Sequence, residues 1–195
     1  MRHNGNKQNG KPGRNKIRRF FSRPSRSRKE SNAWLLRQCP GIRGDVLSIG
    51  SESDSDRQGD FYRNYFSMAS SYITSEVSPK FGCDLICDIR SMPQIADNRY
   101  DCIFCNGVLE HVDDIRAGLA EMTRILKSGG ILLLGVPFRQ AIHMGPNDFW
   151  RFTEFGIRYL LKDAYEIIDL VGVEGKKRGT FPAAYWVKAR KRHQK

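Results

Sequence analysis

The segment HMGPNDFWRFT, residues 143–153, is the part of the chain richest in side chains that could do chemistry. His143 is a natural general base near neutral pH. Asp148 can orient that imidazole or bind substrate, and Arg151 can hold an anion. A purely structural reading competes with this one: Asp148 and Arg151 are three apart just ahead of a helix, the spacing of an ordinary ion pair. A second set of polar residues is spread more widely. Gly50, Glu76, Asp88 and Asn106 each close a short apolar run, and Ser51, Ile89 and Gly107 follow three of them directly. His111 reads as a hydrogen-bonded histidine below such a site, and no metal-ligand set is read from the sequence.

The runs themselves read as strands. VLSIG (46–50), SYITSE (71–76), DLICDI (84–89), DCIFC (101–105) and ILLLGV (131–136) are short and apolar or alternating. ILLLGV is apolar throughout, as suits a strand covered on both faces. Between the last two, Ile115, Leu119, Met122 and Leu126 recur at helical spacing, with Gly129-Gly130 as the expected stop. Phe61 to Ala69 and Asn32 to Gln38 are expected helices. Thr153 can cap another running to about Leu161. YEIIDLVGV (165–173) and AAYWVKA (183–189) close the chain as a pair of strands. Alternating strands and helices predict a doubly wound α/β fold with right-handed crossovers. In such a fold ligands bind beyond the carboxyl ends of the strands. Gly50, Glu76, Asp88 and Asn106 end strands one to four and should therefore share one rim.

Taken together, this order of elements and the phrases LEHV (109–112) and RILKSGG (124–130) resemble the class I S-adenosylmethionine (SAM)-dependent methyltransferases, in particular their type 11-like members. The resemblance covers about residues 42–189. It implies a Rossmann-like sheet of seven strands, mostly parallel with a C-terminal antiparallel strand, and helices on both faces. It also implies a SAM site: Gly50 and Ser51 near the methionine part, Glu76 on the ribose hydroxyls, Asp88 and Ile89 at the adenine, Asn106 and Gly107 at the amino acid end. Two features depart from the pattern. Gly50 is followed by Ser51-Glu52 where a Gly-x-Gly-like loop is usual. Glu76 lies 26 residues past Gly50, against about 20 in dinucleotide fingerprints.

Composition separates the body from its ends. The chain has 195 residues and a formal charge of +12. Residues 1–30 carry 11 Lys/Arg against Glu30 alone, and residues 188–195 carry five against no acid, which leaves about −3 for residues 31–187. The expected organisation is a basic disordered tail over 1–30, a methyltransferase-like domain over 31–189 and a basic tail over 190–195. Such ends attract polyanions without sequence specificity. No apolar run approaches the length of a membrane span, and a cytoplasmic enzyme is expected. Cys102 and Cys105 form a C-x-x-C, but three residues of strand point their side chains to opposite faces, so reduced, buried thiols are expected.

The function the resemblance implies is methyl transfer from SAM to a small-molecule or glycan acceptor, to which the 143–153 segment belongs. Two alternatives stay open: an RNA or DNA methyltransferase gripping phosphates through the basic ends, and a non-catalytic protein whose cofactor loop has degenerated at Ser51-Glu52. Oligomeric state is not legible.

Overall fold

The computed structural model describes residues 24–174 and 181–193. Its elements are α1 (Arg26–Gln38), β1 (Gly44–Ile49), β2 (Ala69–Glu76), β3 (Leu85–Ile86), β4 (Tyr100–Asn106), α2 (Ile115–Ile125), β5 (Leu126–Pro137), α3 (Glu154–Leu161), β6 (Tyr165–Glu174) and β7 (Pro182–Lys191). Single 3₁₀ turns lie at Tyr62–Tyr65, Pro79–Phe81 and Leu109–His111. The seven strands form one sheet in the order β3-β2-β1-β4-β5-β7-β6. All pairings are parallel except those of β7, which runs antiparallel to both β5 and β6. Chain order reverses between β1 and β4, so Gly50 and Asn106 flank the topological switch point.

The central strands separate two cores by simple alternation. Leu47, Ile49, Ile103, Cys105, Leu132 and Leu134 face one side, where Leu119, Met122 and Ile125 of α2 and Ile157 and Leu161 of α3 cover them. Val46, Cys102, Phe104 and Leu133 face the other, under Trp34 and Leu35 of α1, Tyr62, Tyr65 and Trp186. Cys102 and Cys105 thus lie in different cores, and all five cysteines are free. Burial raises the thiols of both.

Several boundaries differ from those read in the sequence, each for a visible reason. The helix expected from Asn32 begins at Arg26, because Ser25 caps it by accepting from the Arg28 N–H at 3.2 Å. Residues 26–30 therefore belong to the folded body; the tail expected over 1–30 otherwise lies outside the described residues up to residue 23. At the other end β7 keeps its register with β5 to Arg190 and with β6 to Lys191, two residues past the expected limit of 189.

The helix expected over Phe61 to Ala69 is only a 3₁₀ turn followed by the start of β2. Backbone donors there go to acidic residues instead of a helical ladder: the Arg63 N–H donates to the Asp54 carboxylate at 3.2 Å, the Tyr62 N–H to the Asp54 carbonyl at 2.8 Å and the Phe61 N–H to the Asp60 carboxylate at 2.8 Å. α2 stops at Ile125, ahead of Gly129-Gly130, which lie inside β5. Its last carbonyls are taken instead by the Asn98 and Arg99 N–H groups, which donate to Arg124 and Ile125. The strand expected over 84–89 shrinks to Leu85–Ile86. Among the described residues no helix is long and apolar enough to cross a membrane.

Candidate active site

Beyond the carboxyl ends of β1, β2 and β4 lies a cavity of about 760 Å³, within the usual range of about 300–1,000 Å³ for small-ligand sites. Gly50, Ser51, Glu76, Asp88, Ile89, Asn106 and Gly107 all line it, as does His143. Asp148 and Arg151 do not. The Asp148 side chain is 1% exposed and takes two 2.7 Å bonds from Arg151. These bonds hold its carboxyl well below the usual carboxylate range. Asp148 serves His143 instead. It accepts the His143 N–H at 2.8 Å and lies 3.5 Å from its Nδ1. The pair is the ion pair of the structural reading, and its carboxylate also holds the His143 backbone.

At the β1 end, Gly50 has φ +69°, and a Cβ there would fall 2.2 Å from Val108 Cγ2. Only glycine leaves room for the backbone to line the cavity. Its N–H is not free, however. Gly50 and Ser51 both donate to the Ser75 carbonyl, at 2.9 and 3.1 Å, continuing the β1–β2 ladder by one step. The Ser51 hydroxyl turns away to Ser48. Glu52, with φ +45°, places its N–H 2.8 Å from Glu76 Oε1 and its carboxylate 3.6 Å from Arg57.

Glu76 is thereby fixed in direction, and a carboxylate keeps lone pairs beyond those two N–H contacts, Glu52 and Val77. Asp88 is held by Arg90, whose other nitrogen bonds Asp113 at 2.8 Å. The Arg90 guanidinium lowers the Asp88 carboxyl and takes up much of its accepting capacity. Ile89 is buried at 6% exposure and adds apolar surface to the cavity lining. At the β4 end the Asn106 amide lies 3.5 Å from the Tyr62 hydroxyl, which also accepts from Arg28 of α1 at 3.1 Å. These residues fit an adenosyl group: a backbone cradle without a Cβ, a carboxylate with spare lone pairs and an apolar ledge.

The far end of the cavity holds Glu110, to which the sequence assigned no role, and His111, expected below the site. Glu110 is 2% exposed, its Oε2 has no hydrogen-bond partner, and burial pushes its carboxyl up to about 7. His111 lies beside it, with Nε2 4.0 Å from Glu110 Oε1. The His111 and His143 rings meet edge to face at 4.8 Å. Far from lying below the site, His111 lines it. One signal was available: Glu110-His111 follow β4 and His143 follows β5, and adjacent parallel strands bring their carboxyl ends together. The two loops are also tied. Phe149 and Trp150 donate their N–H groups to the Glu110 carbonyl, and Trp150 Nε1 bonds the Val112 carbonyl at 2.8 Å.

Comparison with known proteins agrees with this architecture. The methyltransferase-domain family matches residues 64–134. The ubiquinone/menaquinone biosynthesis C-methyltransferase of Desulfotalea psychrophila is 33% identical over 122 residues, 60% of this chain and 45% of that protein. The chain thus spans under half the length of that relative. The N-methyltransferase NodS of Bradyrhizobium japonicum, solved with S-adenosylhomocysteine, superposes with a TM-score of 0.68 at 17% identity, covering 88% of this chain and 90% of that one. The Burkholderia thailandensis 1,6-didemethyltoxoflavin N1-methyltransferase gives 0.64 at 19% identity, covering 86% and 79%. With the 3-2-1-4-5-7-6 sheet, these likenesses give the chain the fold of the class I SAM-dependent methyltransferases, and residues 64–134 match the methyltransferase-domain family.

Proposed function

We propose that this chain transfers a methyl group from SAM to a small-molecule or glycan acceptor. One observation carries the reading: a single cavity joins the strand-end residues Gly50 to Gly107, suited to the donor, to a histidine-rich end suited to an acceptor. Bound in that cavity, SAM supplies an activated methyl on sulfonium, so the protein's task is mainly alignment and exclusion of water. Glu76 would accept from the ribose hydroxyls. Ile89 would pack on the adenine, with Asp88 at its edge. Asn106 and Gly107 would hold the amino acid end.

At the acceptor end His143 donates Nδ1–H toward the Ala141 carbonyl at 3.2 Å. A carbonyl can only accept, so the lone pair sits on Nε2, where it can take a proton from an acceptor hydroxyl. The Arg151–Asp148 pair holds that ring in place. Two similar proteins support a compact acceptor: one is named for quinone biosynthesis, and the other was solved with 1,6-didemethyltoxoflavin. The alternative based on lost cofactor binding turns on Ser51-Glu52; there the Glu52 carboxylate lies 3.6 Å from Arg57, an exposed pair that offsets part of its charge. The nucleic-acid alternative rests on the chain's basic ends, which lie largely outside the described residues.

Calorimetry with S-adenosylhomocysteine tests the donor half of the reading. Saturable binding is expected, and its absence at millimolar ligand would remove the enzyme reading altogether. A panel of hydroxylated aromatics and sugars, scored by S-adenosylhomocysteine release, tests the acceptor half.

A further inference from the structure

We propose that Glu110, His111 and His143 form a divalent metal site at the acceptor end of the cavity, and that the acceptor is an oxygen donor able to coordinate that metal. The inference rests on the methyltransferase reading. Each of the three residues offers one ligand atom, and the three atoms lie within 4.8 Å of one another. Ligands at about 2.1 Å around a tetrahedral ion are about 3.4 Å apart, so modest side-chain rotations would close the set. Two histidines with one carboxylate is a common donor set for first-row divalent ions with open positions.

Two independent features point to a ligand here. The first is Glu110 Oε2. Glu110 lines the cavity at 2% exposure and its Oε2 has no partner, so its charged form is unfavourable unless something positive meets it. The second is the way both rings are held. His111 Nδ1 lies 2.6 Å from the Asn147 carbonyl, and His143 Nδ1 lies 3.2 Å from the Ala141 carbonyl. Both Nδ1 atoms must be protonated to make these contacts, so both Nε2 atoms carry lone pairs. Asp148 stands behind His143, the outer-shell carboxylate that fixes a metal-bound imidazole.

In this arrangement His143 acts as a ligand, and the metal's charge replaces its role as base. The acceptor O–H gives its proton to solvent. An oxygen electron pair then forms the bond to the methyl carbon, and the pair of the breaking C–S bond stays on sulfur.

The test uses the untagged full chain, treated with chelator and dialysed, then titrated with Co(II). Binding is read by calorimetry and by visible ligand-field absorption. One Co(II) per chain is expected. Glu110→Gln and His143→Ala should each weaken it at least about 100-fold, and Asp148→Asn about 10-fold or more. S-adenosylhomocysteine binding, measured in parallel, verifies folding of each variant. If the wild-type chain binds S-adenosylhomocysteine but not Co(II), or if Glu110→Gln leaves Co(II) affinity unchanged, the metal site is overturned while the methyltransferase reading stands. If S-adenosylhomocysteine fails to bind, the methyltransferase reading falls, and with it the acceptor class inferred from it.

Discussion

The imidazoles of His111 and His143 meet edge to face with ring centroids 4.8 Å apart, although they follow different strands. The contact places the end of the cavity proposed for the acceptor between the loops after β4 and β5. Replacing His143 should therefore affect turnover and leave donor binding intact. For His143→Ala we expect kcat to fall by about 10²- to 10⁴-fold with any panel acceptor the wild-type protein methylates, and S-adenosylhomocysteine affinity to be unaltered. Wild-type turnover in this variant would exclude His143 from the reaction.

Glu76 carries the prediction for the donor end. Removing charge-assisted hydrogen bonds to a ligand costs about 1.5–3 kcal/mol, so Glu76→Ala should weaken S-adenosylhomocysteine about 10- to 100-fold. Glu76→Gln keeps an oxygen for the Glu52 N–H and should lose less. Equal affinity in all three proteins, by calorimetry, would remove Glu76 from the site.

Gly50 makes a stability prediction. In Gly50→Ala the new Cβ would meet Val108 Cγ2 at 2.2 Å in a backbone with φ +69°. Overpacking and left-handed strain together should destabilise the fold by about 1–3 kcal/mol, seen as a lower Tm. Val108→Ala in the same chain should recover the steric part and leave the backbone strain. No recovery would mean that strain alone sets the loss.

Glu121 supplies a pH dependence. Arg124 Nε and Nη2 donate to its carboxylate at 2.8 and 2.9 Å, and the Met92 N–H donates at 2.6 Å. Foremost the Arg124 bonds hold its carboxyl below the usual range. With the folded pKa below the unfolded one, the stabilisation is complete above the unfolded value, about 4.3. It is lost as the pH falls through the folded value. The Tm should therefore drop on acidification below about pH 5, and Glu121→Gln should flatten that drop. An identical acid limb in both proteins would assign it to other carboxylates.

The residues show why some of this was readable in the sequence. Residues 102–105 of β4 and 131–136 of β5 are apolar because both faces of the sheet are covered, so these strands could be read directly, as could the rim that Gly50, Glu76, Asp88 and Asn106 make beyond β1 to β4. Phe61 to Ala69 has helical spacing, but Asp54 and Asp60 captured backbone donors at its start, and no periodicity records such competition. Gly129-Gly130 look like a helix stop, yet the stop came from amides at 98 and 99. Glu110 was the largest omission. Its significance lies in burial without a partner, which arises only when the loop of residues 143–153 folds over it.

The way α1 is fastened has a consequence for synthesis of the chain. Trp34 Nε1 and Gln38 Nε2 both bond Asp169 Oδ2, on β6, and Trp186 Nε1, on β7, bonds the Ser31 hydroxyl at 2.8 Å. Arg28 of the same helix contributes to the cavity wall. The helix leaves the ribosome well before the strands that seat it. A nascent chain halted before residue 186 can already possess β1, β4 and β5, yet its cofactor cleft would lack a settled wall. Ligand binding by stalled chains should therefore switch on only when the last strand is released.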